Sequence, residues 1–407
     1  MQLEVRLAIV FLFGLGIGAL INWSIYGLSH FSQARGPWSK SLENRRRDWF
    51  EFLPIVGWIA RRGEAEKLGS RFWVRPILIE LAYAGGMAAL YWWEVQRHAL
   101  WPPLLPAMLP PMAQLHAQFG CHALLIAFMT AATFIDFDEQ TIPDGITIPG
   151  TLLALAWAAW LPDARLVIPS GVSTHLQRLH LYSPGAWNPW LDSWKGLAIG
   201  CLLILGWAIA LNPARYTLRH GLRRWSRYFF ASIVGRWQLL AMAAATCAAA
   251  GLVWALPLPR EHWRGLCSAI IGLAYGGALV WGVRIAGWAG LGQEAMGFGD
   301  VTLMAMIGAF LGWQTTLIIF FLSPFAALLV SVAQFIITRD HQIAFGPYLC
   351  LAALYLIVYW PSVWDQVGNF FGMGGVLHAI VASCLLLMTG MLMLIRLAKR
   401  ALGGGSH

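Results

Sequence analysis

The chain has 407 residues, of which 58% are hydrophobic and only 12% are charged, whereas soluble domains carry about 25% charged residues. This composition excludes a soluble globular protein, and the long apolar segments predict a polytopic membrane protein. The net charge of +9 is explained by Lys and Arg in cytoplasmic loops, so we expect membrane lipid, and no nucleic acid, as a partner. All six cysteines lie in apolar segments without a CxxC pair, which excludes a cysteine zinc site and a disulfide framework.

Eleven apolar segments predict an all-α, polytopic integral membrane bundle with about 11 transmembrane helices. They cover residues 7–28, 76–93, 118–135, 145–161, 194–211, 238–256, 265–283, 301–314, 316–337, 348–361 and 374–395. With the N-terminus outside and every segment crossing, 21 of the 28 Lys and Arg lie in cytoplasmic segments, as the positive-inside rule requires. The C-terminus is then cytoplasmic. Because more basic residues follow the first segment than precede it, we expect this segment to be retained and not cleaved as a signal peptide.

Three loops between these segments are long enough to have a structure of their own. Residues 29–75 form a polar cytoplasmic loop that contains no cysteine and only one histidine, His30. We therefore expect the loop to be held without zinc, by packing of apolar side chains on the membrane face or on neighbouring helices: Phe50, Phe52, Leu53, Ile55 and Trp58. The stretch Arg215–Arg236 interleaves six Arg with aromatic residues and predicts an interfacial amphipathic helix in preference to a nucleic-acid site. Residues 162–193 lie outside and indicate no chemistry.

Carboxylates stand at the ends of two predicted membrane helices, in the sequences FIDFDEQTIPD and AMGFGD. An ionisable group at membrane depth costs about 2.5–3.5 kcal/mol, so it normally faces a protein interior and carries function. The predicted topology places Asp136 and Asp300 at the same, cytoplasmic level, where two neighbouring carboxylates would share one proton. One of them can then act as a base on water and the other as an acid. This is the chemistry of an aspartic protease.

The residues around Asp300 leave two interpretations open. Gly297 and Gly299 lack a Cβ atom and permit the close approach of a substrate backbone, as a catalytic carboxylate would require. Alternatively, Asp300 only caps a helix that starts at Val301. The residue chemistry alone supports both interpretations equally.

Two further acidic residues near the first motif have different expected roles. Asp144 follows Pro143 and precedes the next predicted helix, so we expect it to cap that helix. Asp138 lies two residues beyond Asp136 and therefore points in another direction on a helix. We expect Asp138 to support the site from outside or to be solvated.

The two acidic motifs carry a resemblance to a known family. The stretch FIDFDEQTIPD followed by GFGDVTLMAMIGAFLGW resembles the two motifs of the type IV prepilin peptidases, which are membrane aspartic proteases of the GxGD type. The stretches AFGPYL, NWSIY, LPIVGW and RGE are also similar, as are Arg75, Pro76, Glu80 and Leu81. The resemblance favours Asp136 and Asp300 as the catalytic pair. It also indicates a set of supporting residues: Gly297, Gly299, Asp138, Asp144, Gly346 and Pro347.

This resemblance implies a function, a location and a domain organisation. The chain would be an aspartic endopeptidase of the bacterial inner membrane that cuts the leader from a type IV prepilin or a type II secretion pseudopilin. Members of the family often methylate the new N-terminus with S-adenosylmethionine, an activity associated with the first cytoplasmic loop, whereas proteolysis needs no cofactor. The implied organisation is an N-terminal region 1–93 with the loop 29–75, a peptidase core 118–361, and an extra C-terminal helix and tail 362–407.

The chain departs from the family in two places. Its loop lacks the paired CxxC motifs that commonly bind zinc, so we expect no zinc and leave methylation open. In addition, 164 positions separate Asp136 from Asp300, enough for four membrane segments where the family has two. This spacing predicts an inserted helical hairpin at about 162–262. An even number of added segments keeps both aspartates on one side of the membrane.

Three other functions compete with this interpretation. A proton-coupled transporter would need carboxylates near the bilayer midplane and internal repeats, whereas these carboxylates stand at segment ends. A presenilin-like or signal-peptide-peptidase-like protease would pair GxGD with YD and PAL motifs, where this chain has Ile135–Asp136 and FGPYL. A catalytically silent pilus-assembly scaffold would not need intact aspartates.

Overall fold

The computed structural model describes residues 2–29, 38, 47–101, 110–169, 176–212, 235–292, 296–337 and 345–403, the side chains of 291, 331–337 and 399–403 excepted. The helices are α1 (Leu3–Leu28), α2 (Val56–Ala60), α3 (Ala65–Leu68), α4 (Val74–Tyr91), α5 (Met112–Glu139), α6 (Asp144–Trp160), α7 (Trp194–Ala210), α8 (Trp237–Ala255), α9 (Arg260–Leu291), α10 (Phe298–Leu311), α11 (Trp313–Ile337), α12 (Gly346–Val358), α13 (Trp360–Phe371) and α14 (Gly375–Gly403). Within these ranges, β1 (Val167–Pro169) and β2 (Leu176–Arg178) form one antiparallel pair. The predicted class, a polytopic helical membrane protein, is confirmed.

Each of the eleven predicted membrane segments coincides with a helix, but their number as membrane crossings stays a prediction. Among the described residues, six helices are long and apolar enough to cross a membrane alone, and the bent pair α12 and α13 makes a seventh if it counts as one span. Helices α7 and α10 are apolar but shorter. The sequence therefore locates the helices correctly, whereas their length alone does not establish eleven crossings.

The segment predicted at 348–361 is not one straight helix. Helix α12 ends at Val358, and the chain bends by 99° into α13. Tyr359 between them has non-helical backbone angles, and Pro361 stands in the first turn of α13. Proline disrupts a helix interior but suits a helix start, so Pro361 ends one helix and begins the next.

A small hairpin covers one end of the bundle, and we call it the hairpin cap (described residues 162–169 and 176–193). Its strands pair Val167 with Arg178. Four tryptophan indoles at helix ends donate hydrogen bonds to its carbonyl groups: Trp254 to Asp192 at 2.9 Å, Trp263 to Leu191 at 2.9 Å, Trp313 to Leu181 at 2.8 Å and Trp360 to Val167 at 2.7 Å. Helices α6, α10 and α12 all end beside this cap. They therefore all begin at the opposite end, where the acidic motifs lie.

Helix α10 lies at the centre of the bundle. All of its residues from Asp300 to Leu311 are buried, which is why its sequence is apolar without a polar face. It crosses α9 so closely that a Cβ atom built on Gly308 would lie 2.2 Å from the carbonyl oxygen of Gly272. The buried α10 therefore holds Asp300 on a rigid element.

Helices α7 and α8 and the hairpin cap lie within the range 162–262, which stays a prediction as an inserted hairpin. The two helices pack against each other, and both pack against α9. The predicted interfacial helix at Arg215–Arg236 falls almost wholly on residues 213–234, outside the described residues. The division of the chain into the predicted regions remains a proposal.

The N-terminal loop is anchored by one buried carboxylate. Glu80 on α4 is fully buried, and its oxygens accept three hydrogen bonds: from Asn22 Nδ2 at 2.9 Å, Trp58 Nε1 at 2.8 Å and the Ile55 main-chain N–H at 2.6 Å. Three of the N-terminal stretches that resemble the family thus meet at one point. This network fixes the loop on α1 and α4.

A buried ionic cluster holds the rest of the loop. Arg61 pairs with Glu64 at 2.6 Å, and Arg47 bridges Glu51 at 3.2 Å and Glu64 at 3.3 Å. The Arg61 guanidinium also lies over the Trp58 ring, and burial lowers its pKa.

Trp58 is buried in the loop as predicted. Phe50, Phe52 and Leu53 are exposed on the protein surface, so they do not pack on neighbouring helices, and their packing on the membrane face stays a prediction. Buried ion pairs and the hydrogen bonds to Glu80 also hold the loop. His30 lies outside the described residues.

Replacing Arg61 tests the ionic cluster. Arg61→Met removes the closer of the two cations that pair with buried Glu64 and leaves it with Arg47 alone, at 3.3 Å. Removing one partner of a buried ion pair costs up to about 3–5 kcal/mol. We expect a correspondingly lower free energy of unfolding for the purified protein in detergent. Lys67→Met is the control, because Lys67 carries the same charge on the same loop but is exposed. Equal stability of the two variants would contradict a stabilising role for the cluster.

Candidate active site

The structure brings together the two aspartates that the sequence singled out. Asp136 lies in the last turn of α5 and Asp300 in the first turn of α10, and only 5% and 7% of their surfaces are exposed. The two carboxylates are close enough to repel each other, and both act electrostatically on the thiol of Cys350 on α12. Residues 164 positions apart in the chain therefore form one acidic pair.

Two helix N-termini face this acidic pair. The main-chain N–H of Gly346, the first residue of α12, faces the Asp136 carboxylate. The N–H of Gly297, which precedes α10, faces the Asp300 carboxylate. A helix N-terminus carries partial positive charge and stabilises acidic groups. Asp136 Oδ2 is nevertheless buried without a hydrogen-bond donor among the described residues, so one oxygen of the pair stays available to a reactant.

Asp300 does not occupy the capping position of a helix that starts at Val301, as the alternative interpretation required. Helix α10 begins at Phe298, and Gly297 occupies the capping position. Asp300 is therefore the third residue of the helix, a position from which an acidic side chain can reach back to the amide of the capping residue. Its carboxylate lies between the helix start and Asp136.

Two glycines allow the backbones to meet at the site. A Cβ atom on Gly346 would lie 2.6 Å from Asp136 Oδ2 and 2.9 Å from Ile142 Cδ1, and one on Gly299 would lie 2.9 Å from Ile142 Cβ. Ile142 of the same chain thus makes a close approach at Gly299, and the approach of a substrate backbone stays a prediction. A Cβ atom on Gly297 would lie at an ordinary 3.7 Å from Asp300 Oδ2.

The remaining predicted residues lie around the pair in different roles. Asp138 is about 43% exposed and pairs with Arg75 at 2.9 Å, outside the buried site as expected. Asp144 does not cap α6: it is the first helical residue, Pro143 stands at the capping position, and no side-chain cap bond forms. The proline takes the place that the sequence suggested for Asp144. Pro347 stands in the first turn of α12, where proline is favoured.

Sequence reasoning missed two residues of the site. Ile142 fills the space between Gly299 and Gly346, but nothing in an isoleucine of the stretch TIPD distinguishes it from any other apolar side chain. Cys350 stands one turn into α12, beside both aspartates, and its distance from the first motif in the sequence hides this contact. Within the described ranges, no group of three or more His, Cys, Asp or Glu could hold a metal ion.

Comparisons with known proteins identify a family. The model of the type IV leader peptidase family matches residues 123–332, slightly more than half of the chain. A prepilin leader peptidase/N-methyltransferase of Aeromonas hydrophila is 34% identical over 101 residues, which is 24% of this chain and 35% of the relative. Proteins of the same description from Pseudomonas putida and Escherichia coli K12 are 32% and 31% identical over 123 and 91 residues.

The matched stretches are partial. They cover 30% of this chain and 40% of the Pseudomonas putida protein, and 22% of this chain and 40% of the Escherichia coli protein. The chain therefore spans about two fifths of the length of these relatives or less. No solved structure matches the chain.

Proposed function

The chain belongs to the type IV leader peptidase family, and on that premise we propose that it is a membrane aspartic endopeptidase that removes the leader from type IV prepilins or type II secretion pseudopilins. The expected location is the cytoplasmic face of the bacterial inner membrane. The names of the relatives, prepilin leader peptidase/N-methyltransferase, support this substrate class. The observation that carries the proposal is the buried pair of Asp136 and Asp300 at two helix N-termini.

The proposed reaction is hydrolysis by water held between the two carboxylates. One aspartate, as the carboxylate, removes a proton from the water, whose oxygen attacks the scissile carbonyl carbon. The other aspartate, as the carboxylic acid, donates its proton to the carbonyl oxygen. The amide nitrogen then accepts the proton that the base took from water. One hydroxyl of the tetrahedral intermediate returns its proton to the other aspartate as the carbon–nitrogen bond breaks, which restores the shared proton of the pair. Because one proton is shared by the pair before attack, both aspartates are needed.

The alternatives fit the site less well. A proton relay through a transporter would need a chain of carboxylates along the bundle, whereas this pair stands where α10 and α12 begin. Membership of the leader peptidase family also argues against a presenilin-like enzyme. A silent scaffold would not need two carboxylates brought together at an energetic cost.

Methylation of the new N-terminus with S-adenosylmethionine is the second candidate activity, because the relatives' names include N-methyltransferase. The loop that the family associates with this activity is folded here on Glu80 and the ionic cluster. Its residues do not fit a zinc site, since the loop has no cysteine. A methyl increment on the processed substrate in mass spectra would support the second activity, and complete cleavage without it would leave a peptidase alone.

Replacing either aspartate tests the proposed pair. Asp136→Asn and Asp300→Asn are each expected to abolish cleavage of a precursor, because each removes one half of the acid and base pair. The double variant should be no worse than either single variant, since the residues act as a unit. The assay is gel or mass-spectrometric detection of the leader with purified protein in liposomes. Asp138→Asn is the control and should retain much of the activity, and appreciable turnover by either single variant would refute the assignment.

Gly346→Ala tests the geometry of the pair. Its new methyl group would meet only the ends of two side chains, Asp136 Oδ2 at 2.6 Å and Ile142 Cδ1 at 2.9 Å. These side-chain ends can shift at little cost to the stability of the fold, but the shift displaces the Asp136 carboxylate. We expect at least a tenfold loss of kcat with a nearly unchanged melting temperature. Gly375→Ala is the matched control, since a Cβ atom there meets nothing within 4 Å, and equal kcat for the two variants would contradict this account.

A further inference from the structure

A deep apolar groove runs along the bundle between α4, α5 and α12. Its volume is about 860 Å³, and its walls include Ala82 and Gly86 of α4, Ile126 and Phe134 of α5, and Leu354 of α12. The hydroxyl of Thr130, which also lines it, donates to the carbonyl of Ile126 on its own helix. The groove therefore presents almost no unsatisfied polar group to an occupant.

Charged and indole side chains of the described residues mark the two ends of this groove. At one end the Trp93 indole donates to the carbonyl of Val358 at 2.9 Å and ties α4 to the end of α12. At the other end Arg75 pairs with Asp138, and Arg71 also lines the groove there. Because both partners of the Arg75–Asp138 pair are more than one third exposed, solvent weakens the pair and it can open.

The groove continues towards the acidic pair. A second cavity of about 310 Å³ shares Ile126, Thr130, Phe134 and Leu354 with it and extends to Pro347 at the start of α12. Gly346, the residue before Pro347, lies so close to Asp136 that a Cβ atom on it would be 2.6 Å from Asp136 Oδ2. One apolar path thus leads from the side of the bundle to the residues beside Asp136.

The dimensions of the groove match a membrane helix. Helix α4, which forms one wall, has 18 residues and is about 27 Å long, close to the thickness of the hydrocarbon core. Small residues on α4 leave room for a second helix: a Cβ atom on Gly86 would meet no atom within 4 Å. Helices pack closely in membranes where one of them presents small residues.

We propose that this groove binds an apolar helix of the substrate and that its end beside Asp138 delivers the adjoining peptide bond to Asp136 and Asp300. The inference rests on the proposed function, because it names where the cleaved protein docks. A phospholipid could fill an apolar groove, but a lipid does not explain why the groove continues towards the carboxylates. Docking along α4 would place the end of the substrate helix at the level where α10 and α12 begin.

Filling the groove tests this proposal by kinetics. Gly86→Phe adds a ring at a position in the groove where a Cβ atom meets no atom within 4 Å. Gly85→Phe is the matched control, because a Cβ atom on Gly85 is equally free but Gly85 does not line the groove. Two substrates are compared: a full-length precursor with its apolar helix, and a short soluble peptide with the same scissile bond. We expect Gly86→Phe to raise KM for the precursor at least tenfold more than for the peptide, with no such difference for Gly85→Phe. Equal effects on both substrates would overturn the proposal.

Crosslinking separates the failure of this inference from the failure of the proposed function. A photoreactive amino acid is placed at Ala82 or at Gly85 in the Asp136→Asn variant, which holds the precursor without cutting it. Crosslinks to the precursor helix from position 82 and not from position 85 would support the docking site. Labelling of phospholipid alone, or equal labelling from both positions, would overturn it. If wild-type protein cleaves neither substrate, the proposed function fails, and the crosslinks still decide what the groove binds.

Discussion

The burial of two carboxylates against the N-termini of two helices is the interaction on which the architecture depends. A buried negative charge without compensation is costly, and no Arg or Lys pairs with Asp136 or Asp300 in the described part of the chain. The compensation comes from the first amides of α10 and α12, which carry partial positive charge. Both helices must therefore start at one level. Tryptophan hydrogen bonds hold the far ends of α10 and α12 at the hairpin cap. The tight crossing of α9 with α10 also fixes the position of α10.

The chain uses a buried carboxylate in two different ways. Glu80 accepts hydrogen bonds on both carboxylate oxygens, so its role is to hold the loop in place. Asp136, by contrast, keeps one buried oxygen without a donor among the described residues and faces a second acid. An unsatisfied acceptor beside a like charge is unfavourable for folding and suited to binding a water proton. This difference in hydrogen bonding distinguishes Glu80 from Asp136, a member of the proposed reactive pair.

The sequence predicts the helices well, because apolar runs of membrane length locate them. It also predicts that Asp136 and Asp300 meet, because acidic residues at the ends of such runs are rare and the predicted topology places both at one level of the membrane. Other contacts between distant segments cannot be predicted in this way. Ile142 between Gly299 and Gly346, and the groove shared by α4, α5 and α12, arise only when the helices are packed. The ionic cluster of the loop cannot be predicted from the sequence either, because charged residues in a polar loop are ordinarily solvated.

The central claim is that the pair activates water directly and forms no bond to the substrate. Its most direct test is a single turnover of excess enzyme with precursor in water enriched in oxygen-18, followed by mass spectrometry of the released leader. The account predicts one oxygen-18 atom in the new carboxyl group from the first turnover. A leader released without the label, with its new oxygen drawn from an aspartate of the enzyme, would contradict it.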